Sequence, residues 1–233
     1  MPGRADRALA VVIPAYQAAT TIAEVLARTY RAVSGATVYV VDDGSTDGTG
    51  DEGRGTRARV LVHPENRGKG AALATGIAAA LEDGADVIVT LDGDGQHPPE
   101  AIGRVAAPAS RGVADLVLGV RERSPAMPLG RRCTNWLSAA LASRIGGVAV
   151  PDAQTGFRAL SRRVAEAIQP RERGYDFETA FLLAALTQGF TMTFVRVPTV
   201  YGGPPSHFRP WTDTWRQARV FTRYGGKIIF GAR

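Results

Sequence analysis

Cysteine is almost absent from this 233-residue chain. Cys133 stands alone, which excludes an internal disulfide and a zinc site built on cysteines, and suits a reducing compartment. Histidine is scarce too: His63, His97 and His207 lie far apart, so no histidine metal cluster is suggested. No stretch approaches the ~20 consecutive apolar residues that a membrane-spanning helix needs. The N-terminal apolar stretch, Leu9 to Ile13, is short, ends at Pro14 and does not read as a signal peptide. Internal repeats, low-complexity tracts and linker-like boundaries are also missing. A single domain that is soluble or peripheral to a membrane, on its cytoplasmic face, is the expectation.

With 45% hydrophobic residues, the chain has enough apolar side chain for a sizeable core. The net charge of +6 is unevenly spread: from Arg209 to Arg233, six Lys or Arg stand against Asp213 alone. Such a basic end suits a polyanion or an anionic membrane surface, or simply a solvated helix face. On a helix, Trp211, Trp215, Ala218 and Thr222 share one face, with Phe221 on its flank. Arg216, Arg219 and Arg223 cluster on the adjacent face. Gly225-Gly226 is expected to end this helix.

Short apolar runs alternate with helix-like segments. Strands are predicted at Ala10–Ile13, Thr37–Val41, Arg59–Val62, Val87–Leu91, Asp115–Gly119 and Thr191–Val197. Helices are predicted at Thr20–Val33, Gly70–Glu82, Pro99–Ala106, Arg131–Ile145 and Tyr175–Gln188. Thr20 or Thr21 suits the first N-cap. Trp136, Leu137, Leu141 and Ile145 are the apolar positions of the fourth helix. This rhythm predicts an α/β fold: a mostly parallel sheet, helices on both faces, and strand C-terminal ends gathered on one rim. Ligands of open α/β sheets bind along such a rim.

The polar loops fall on that rim. One is Asp92-Gly93-Asp94-Gly95-Gln96-His97-Pro98-Pro99. Two carboxylates one residue apart point the same way from an extended segment. They repel unless a positive charge joins them, and a hard cation such as Mg²⁺ or Mn²⁺ is the simplest candidate. Gln96 adds a neutral oxygen, and Gly93 leaves room for a ligand. Alone, the pair reads equally as helix-capping residues. Asp43-Gly44-Ser45-Thr46-Asp47, at another strand end of the rim, suits a ribose hydroxyl or a base N–H, or an Asx-type turn before a helix. Asn66-Arg67-Gly68-Lys69-Gly70 opens a helix and suits phosphate, through backbone N–H groups and the Lys69 charge. It has neither Walker A spacing nor a Walker A Ser/Thr, and no GxGxxG follows the first strand.

Taken together and in order, "VVIPAYQAATTI", "VVDDGSTDGT", "NRGKGAALATGI" and "LDGDGQHPPE" resemble glycosyltransferase family two, in particular its dolichyl- and polyprenyl-phosphate sugar synthases. The resemblance continues through "RRCTNWLSAALASRIGG", "DAQTGFRAL", "YDFETAFLLAAL" and "SHFRPWTDTWR", from Leu9 to about Arg219. It implies a GT-A nucleotide-diphosphosugar transferase fold and inverting, metal-dependent chemistry. By position, Asp92, Asp94 and Gln96 would hold the metal and the donor diphosphate. Pro14, Tyr16, Asp43 and nearby Asp42 would line the nucleoside pocket, with Lys69 and Gly93 also on the donor side. Arg121 would face the phosphates. Arg131 or Arg132 with Asn135 would receive an acceptor phosphate. Asp152, Gln154 and Arg158 would form the acceptor loop over Glu178, and His207 would contact a donor or acceptor phosphate. The chain departs from the family at Gln17-Ala18, where members often carry an acid that bears on the choice of base.

The resemblance divides the single domain into a nucleotide-sugar part at 1–120, an acceptor part at 121–208 and a basic amphipathic segment at 209–233. It implies transfer of mannose from GDP-mannose, or of glucose from UDP-glucose, to polyprenyl phosphate at an anionic membrane surface; nucleic acid is not expected as a partner. Two alternatives stand beside it. One is a glycosyltransferase acting on a hydroxyl, with Asp152 or Glu178 as base. The other is a non-catalytic nucleotide-sugar-binding protein.

Overall fold

The computed structural model describes residues 7–121, 129–198 and 210–230, and within these it places side chains at 7–120, 134–198 and 214–225. The elements run β1 (Leu9–Ala15), α1 (Ile22–Ala32), β2 (Thr37–Asp42), α2 (Thr49–Arg54), β3 (Arg59–Val62), α3 (Lys69–Glu82) and β4 (Val87–Thr90). A 3-10 turn at Pro99–Ala101 leads into α4 (Ile102–Ser110). Then follow β5 (Leu116–Arg121), α5 (Leu129–Gly146), β6 (Arg158–Ser161), α6 (Arg162–Ala167), α7 (Phe177–Thr187), β7 (Met192–Val197) and α8 (Pro210–Phe230).

Seven strands form one sheet in the order β3-β2-β1-β4-β6-β5-β7. The expected parallel arrangement holds for all but β6, which runs antiparallel to both β4 and β5. Side chains alternate across the sheet. Ala10, Val12, Tyr39, Ile88, Leu116 and Leu118 pack on one face with α3, α5, α6, α7 and α8. Val11, Ile13, Val38, Val40, Val87 and Val89 pack on the other with α1 and α4. Helices therefore cover both faces, as the βα rhythm predicts.

Several expectations change locally. The reversal of β6 means that its first residue, not its last, lies at the functional rim: Thr90 at the end of β4 sits opposite Arg158 at the start of β6. The Asp152–Phe157 loop is thereby carried to the rim from the opposite direction. Thr21 is the N-cap of α1 but makes no side-chain cap bond. Its hydroxyl instead donates to Gly93 O at 2.7 Å and ties α1 to the loop after β4.

On α5 the buried positions are Ser138 and Ala142, whereas Trp136 is 66% and Leu137 53% exposed, with Leu141 also exposed. Three of the four apolar positions read from sequence thus face outward, while Ile145 packs against the core. The helix α8 does not stop at Gly225-Gly226 but continues to Phe230. Gly225 lies against α5, where an added Cβ would reach Ile145 at 3.8 Å, so the glycine sits at a helix contact. The α8 face that packs inward is Gln217, Val220 and Phe221, with Tyr224 half-buried. Trp215, Ala218 and Thr222 form the predicted shared face and are exposed, as are Arg216, Arg219 and Arg223.

Candidate active site

The rim is assembled from five loops. After β1, Pro14 is buried and Tyr16 half-buried. Gln17 takes a positive φ of 50°, and its side chain exchanges two hydrogen bonds with Thr46 across the loop after β2: Nε2 donates to Thr46 Oγ1 and Oε1 accepts from Thr46 N, each at 3.1 Å. The position where family members often carry an acid is here a stitch between two rim loops. Gly93 passes so close to β1 that a Cβ there would meet Pro14 O at 3.2 Å. Pro14 and Gly93, both assigned to the donor side, are therefore adjacent.

Asp42 and Asp43 are both buried. Asp42 Oδ1 accepts from Ser45 N at 3.0 Å, and the Asx turn falls at the end of the stretch, where Asp47 Oδ1 accepts from Thr49 N at 3.0 Å. Asp43 works inward: Oδ1 accepts from Arg67 N at 3.0 Å, Oδ2 from Gly68 N at 2.7 Å, and His63 Nδ1 lies 2.6 Å from Oδ1. His63 Nε2 meets Thr75 Oγ1 at 3.0 Å. Asp43 thus holds the Asn66–Gly70 loop in place at the foot of α3. Gly68 requires its φ of 97°, and any Cβ there would run into Arg173 O at 2.4 Å.

That loop delivers Lys69 to the centre. Its Nζ lies 2.7 Å from Asp92 Oδ1 and 2.7 Å from Glu178 Oε1. Burial opposes the Lys69 charge, but Asp92 and Glu178 outweigh that penalty and hold its proton well above the usual lysine range. The positive partner of Asp92 is, in this structure, an ammonium group. Asp94 Oδ1 accepts from Gln96 N at 3.0 Å, which curls the loop back on itself. His97 is buried, its Nδ1 3.6 Å from Asp92 Oδ2 and its ring 5.5 Å from that of Phe157.

The loop before β6 closes the far side. Thr90 Oγ1 donates to Gly156 O at 2.7 Å and Thr155 Oγ1 to Gly119 O at 2.8 Å. Gly156 is pressed against the charged pair: an added Cβ would stand 2.7 Å from Asp92 Oδ1, 2.8 Å from Oδ2 and 2.9 Å from Lys69 Nζ. Arg158 is 3% exposed and donates to Thr155 O (2.7 Å), Ala153 O (3.0 Å) and Glu178 O (2.5 Å). Burial pushes its guanidinium down to about 10, with Glu178, Asp152 and Asp92 acting in the other direction. Arg158 is therefore placed to shape the loop from within. Asp152 Oδ1 accepts from Gln154 N at 2.9 Å. Gln154 Nε2 donates to Ser138 Oγ on α5 at 3.1 Å and to Gln217 Oε1 on α8 at 2.6 Å.

Asn135 is half-buried on α5. Arg131 and Arg132 stand in the first turns of α5 and Arg121 ends β5, but their side chains lie outside the described residues, as does all of His207. The residues gathered around Asp92 are thus Lys69, His97, Gly156 and Glu178. Residue type and spacing do not single out His97 or Gly156 as site residues, although each lies inside a motif that carries one.

The donor set suits a divalent cation. Among the described residues no group of three or more His, Cys, Asp and Glu forms a protein-only cage. Two carboxylates from Asp92 and Asp94, with the remaining positions left to substrate phosphates, match the way Mg²⁺ is commonly held.

The family model for Glycosyl transferase family 2 matches residues 10–169. The chain belongs to that family and is a glycosyltransferase. The polyprenol monophosphomannose synthase of Mycolicibacterium smegmatis is 32% identical to it over 209 residues, 82% of this chain and 76% of the relative. The UDP-N-acetylglucosamine–dolichyl-phosphate N-acetylglucosaminyltransferase of Methanococcus voltae is 29% identical over 220 residues, 84% of this chain and 87% of the relative. A solved structure of glucosyl-3-phosphoglycerate synthase from Mycobacterium tuberculosis, in complex with Mn²⁺ and uridine-diphosphate-glucose, matches with a TM-score of 0.73 and 26% identity, covering 94% of this chain and 79% of that one. The fold of this glycosyltransferase is accordingly GT-A.

Proposed function

We propose that this glycosyltransferase moves a hexose from a nucleotide-diphosphate sugar to a polyprenyl monophosphate. The observation that carries the acceptor reading is the state of the two candidate bases. A hydroxyl acceptor needs a general base, whereas a phosphate monoester is already anionic at neutral pH. Glu178 is buried and ion-paired to Lys69, and Asp152 is buried and accepts from Gln154 N in its own loop. Neither stands as an open base, which favours an acceptor that needs none. The names of the two curated relatives, each pairing a sugar with a polyprenol or dolichyl phosphate, support the same reading.

On the donor side, Asp92 and Asp94, with Gln96, would hold Mg²⁺ or Mn²⁺, which supplies charge neutralisation for the leaving diphosphate. The Mn²⁺ named for the mycobacterial structure supports a divalent cation. Lys69 stands beside Asp92 and adds a second positive charge facing the same region. Pro14, Tyr16 and Asp42 border the nucleoside, while Asp43 holds the loop that presents Lys69. The loop 152–158 forms the acceptor wall, with Arg131, Arg132 and Asn135 at the start of α5 and His207 receiving the acceptor phosphate. Arg121 faces the donor phosphates. Mannose is the first expectation for the sugar and glucose the second.

The outer surface supports a membrane setting. Trp136, Leu137 and Leu141 on α5 and Trp215 on α8 are exposed, and Arg144, Arg216 and Arg219 are exposed on the same two helices. Large apolar groups beside cations suit the interface of an anionic bilayer. Among the described residues no helix is long and apolar enough to cross a membrane. Peripheral seating at an anionic surface, on the cytoplasmic face, is the localisation this reading expects.

The test is product formation from labelled GDP-mannose, UDP-glucose and UDP-N-acetylglucosamine, with Mg²⁺ or Mn²⁺, with and without a short polyprenyl phosphate, and with Asp94→Ala as control. Organic-phase product that requires the lipid, the cation and Asp94 is expected. Cation-dependent donor hydrolysis without lipid product would move the acceptor to a hydroxyl.

A further inference from the structure

Gln217 lies in the middle of α8, on a helix whose other polar residues are largely turned outward, yet it is only 7% exposed. Its Oε1 accepts from Gln154 Nε2 at 2.6 Å, the same amide nitrogen that donates to Ser138 Oγ on α5. A polar side chain buried mid-helix costs stability unless it is satisfied, and here one loop residue satisfies it. Gln154 is two residues from Gly156, and Gly156 is the surface against which Asp92 and Lys69 rest. Between them, Arg158 donates to the carbonyls of Ala153 and Thr155, so the segment is held as one piece. A continuous run of contacts leads from α8 to the charged centre.

A second contact from the same helix reaches the opposite wall. Arg223 of α8 pairs with Glu172. The neighbouring Arg173 carbonyl accepts from Ala71 N at 3.2 Å, in the first turn of the helix that presents Lys69. The helix α8 therefore touches both the loop behind Asp92 and the segment behind Lys69. Its outer face is the one carrying exposed Trp215 and arginines.

We propose that Gln217 is a positioning residue: through Gln154 it fixes loop 152–158 against Asp92 and couples the seating of α8 to the acceptor side of the site. Gln217 touches neither substrate. Its effect reaches the reaction through the geometry of the acceptor wall, so it governs acceptor use more than donor use. This rests on the acceptor assignment made above for the loop.

The full chain is compared with Gln217→Met, which keeps length and helix propensity but removes the acceptor oxygen, and with Gln217→Glu, which keeps an oxygen for Gln154. Two readouts are taken. The first is amide hydrogen exchange over residues 152–158, which needs no substrate. The second is KM for the short polyprenyl phosphate against KM for the donor. Gln217→Met should lose protection over 152–158 and raise acceptor KM about tenfold, with donor KM within about twofold, the scale expected when a positioning contact is lost. Gln217→Glu should restore both. Unchanged exchange and unchanged acceptor KM in Gln217→Met overturn the proposal. So does a parallel loss of donor and acceptor use that Gln217→Glu fails to rescue, since that pattern is general destabilisation. A parent enzyme with no lipid-dependent transfer would sink the acceptor assignment, while the exchange comparison would still judge the brace.

Discussion

Gly156→Ala isolates the contact on which the site is built. Gly156 is not among the glycines with positive φ, so alanine can adopt its backbone conformation and only the added methyl matters. That methyl would lie 2.7 and 2.8 Å from the two Asp92 oxygens and 2.9 Å from Lys69 Nζ. Relieving such overlaps requires a shift of roughly half an ångström or more, since non-bonded heavy atoms settle near 3.5 Å. Either Asp92 turns and loosens its 2.7 Å pair with Lys69, or the loop retreats and stretches the 2.7 Å bond from Thr90 Oγ1 to Gly156 O. Overpacking of this kind costs about 1–3 kcal/mol. In a domain of this size that lowers Tm by several degrees, at roughly 2–4 °C per kcal/mol. The catalytic effect is larger, because a ~1 Å misplacement at a reacting centre costs about 100-fold. A fall in kcat/KM of about 10- to 100-fold is expected in metal-dependent transfer from the nucleotide-sugar, measured beside thermal denaturation. A variant with kcat/KM within about twofold of the parent would refute the reading that Gly156 backs the working position of Asp92.

Lys69→Met leaves Asp92 and Glu178 facing each other in a largely buried site, and breaking a buried pair from one side costs about 3–5 kcal/mol. Urea denaturation should show a loss of that size, and a loss below about 1 kcal/mol would mean the ammonium does not bridge the two carboxylates in solution. At the other rim, burial works against the charge of Asp115, but hydrogen bonds from Arg163, Thr191 and Ser161 prevail and hold its carboxyl down at about 2, from 3.8. A depressed carboxyl stabilises the fold above its ordinary value and loses that contribution as pH falls through its folded value. On the order of 2 kcal/mol should therefore disappear between about pH 4 and pH 2, and Asp115→Asn should flatten that part of the stability profile. Replacing both Trp136 and Trp215 by Ser should reduce co-sedimentation with anionic vesicles several-fold while leaving Tm within about 2 °C, because both rings are more than 60% exposed. Equal vesicle binding by parent and double variant would remove these helices from the membrane surface.

Much of this architecture is readable from residue order. The runs ending in Asp42-Asp43 and Asp92-Gly93-Asp94 mark strand ends because apolar β-formers give way abruptly to polar, Gly-rich turns, and the structure places these ends on one rim, on either side of β1. What escaped the sequence depends on distant partners. β6 has only four residues, begins with an arginine and is buried throughout, so neither alternation nor composition reveals it. α2 contains Gly50 and Gly53 and begins after Gly48, a composition that resembles a turn. The neutralising charge for Asp92 comes from the first residue of α3, and no local spacing connects them. Asp43 and Arg158 look outward-facing by residue type, yet backbone groups of neighbouring loops occupy both. Periodicity reports that α5 carries apolar positions, and not what covers them: Trp136, Leu137 and Leu141 are exposed.

The placement of β6 bears on how the chain can be made. In the sheet β6 lies between β4 and β5, but in the chain it follows both. Strands β1 to β4 can join as they leave the ribosome, each beside a neighbour already present, so this four-stranded half with its rim loops can form during synthesis. β5 has no such berth when it emerges: its partners β6 and β7 are still to come. The growing polypeptide must keep a slot open beside β4 until residues 158–161 arrive to fill it, and β6 seals the sheet from within. The loop 152–157, which leads directly into that late strand, is thus completed only after the four-stranded half is in place.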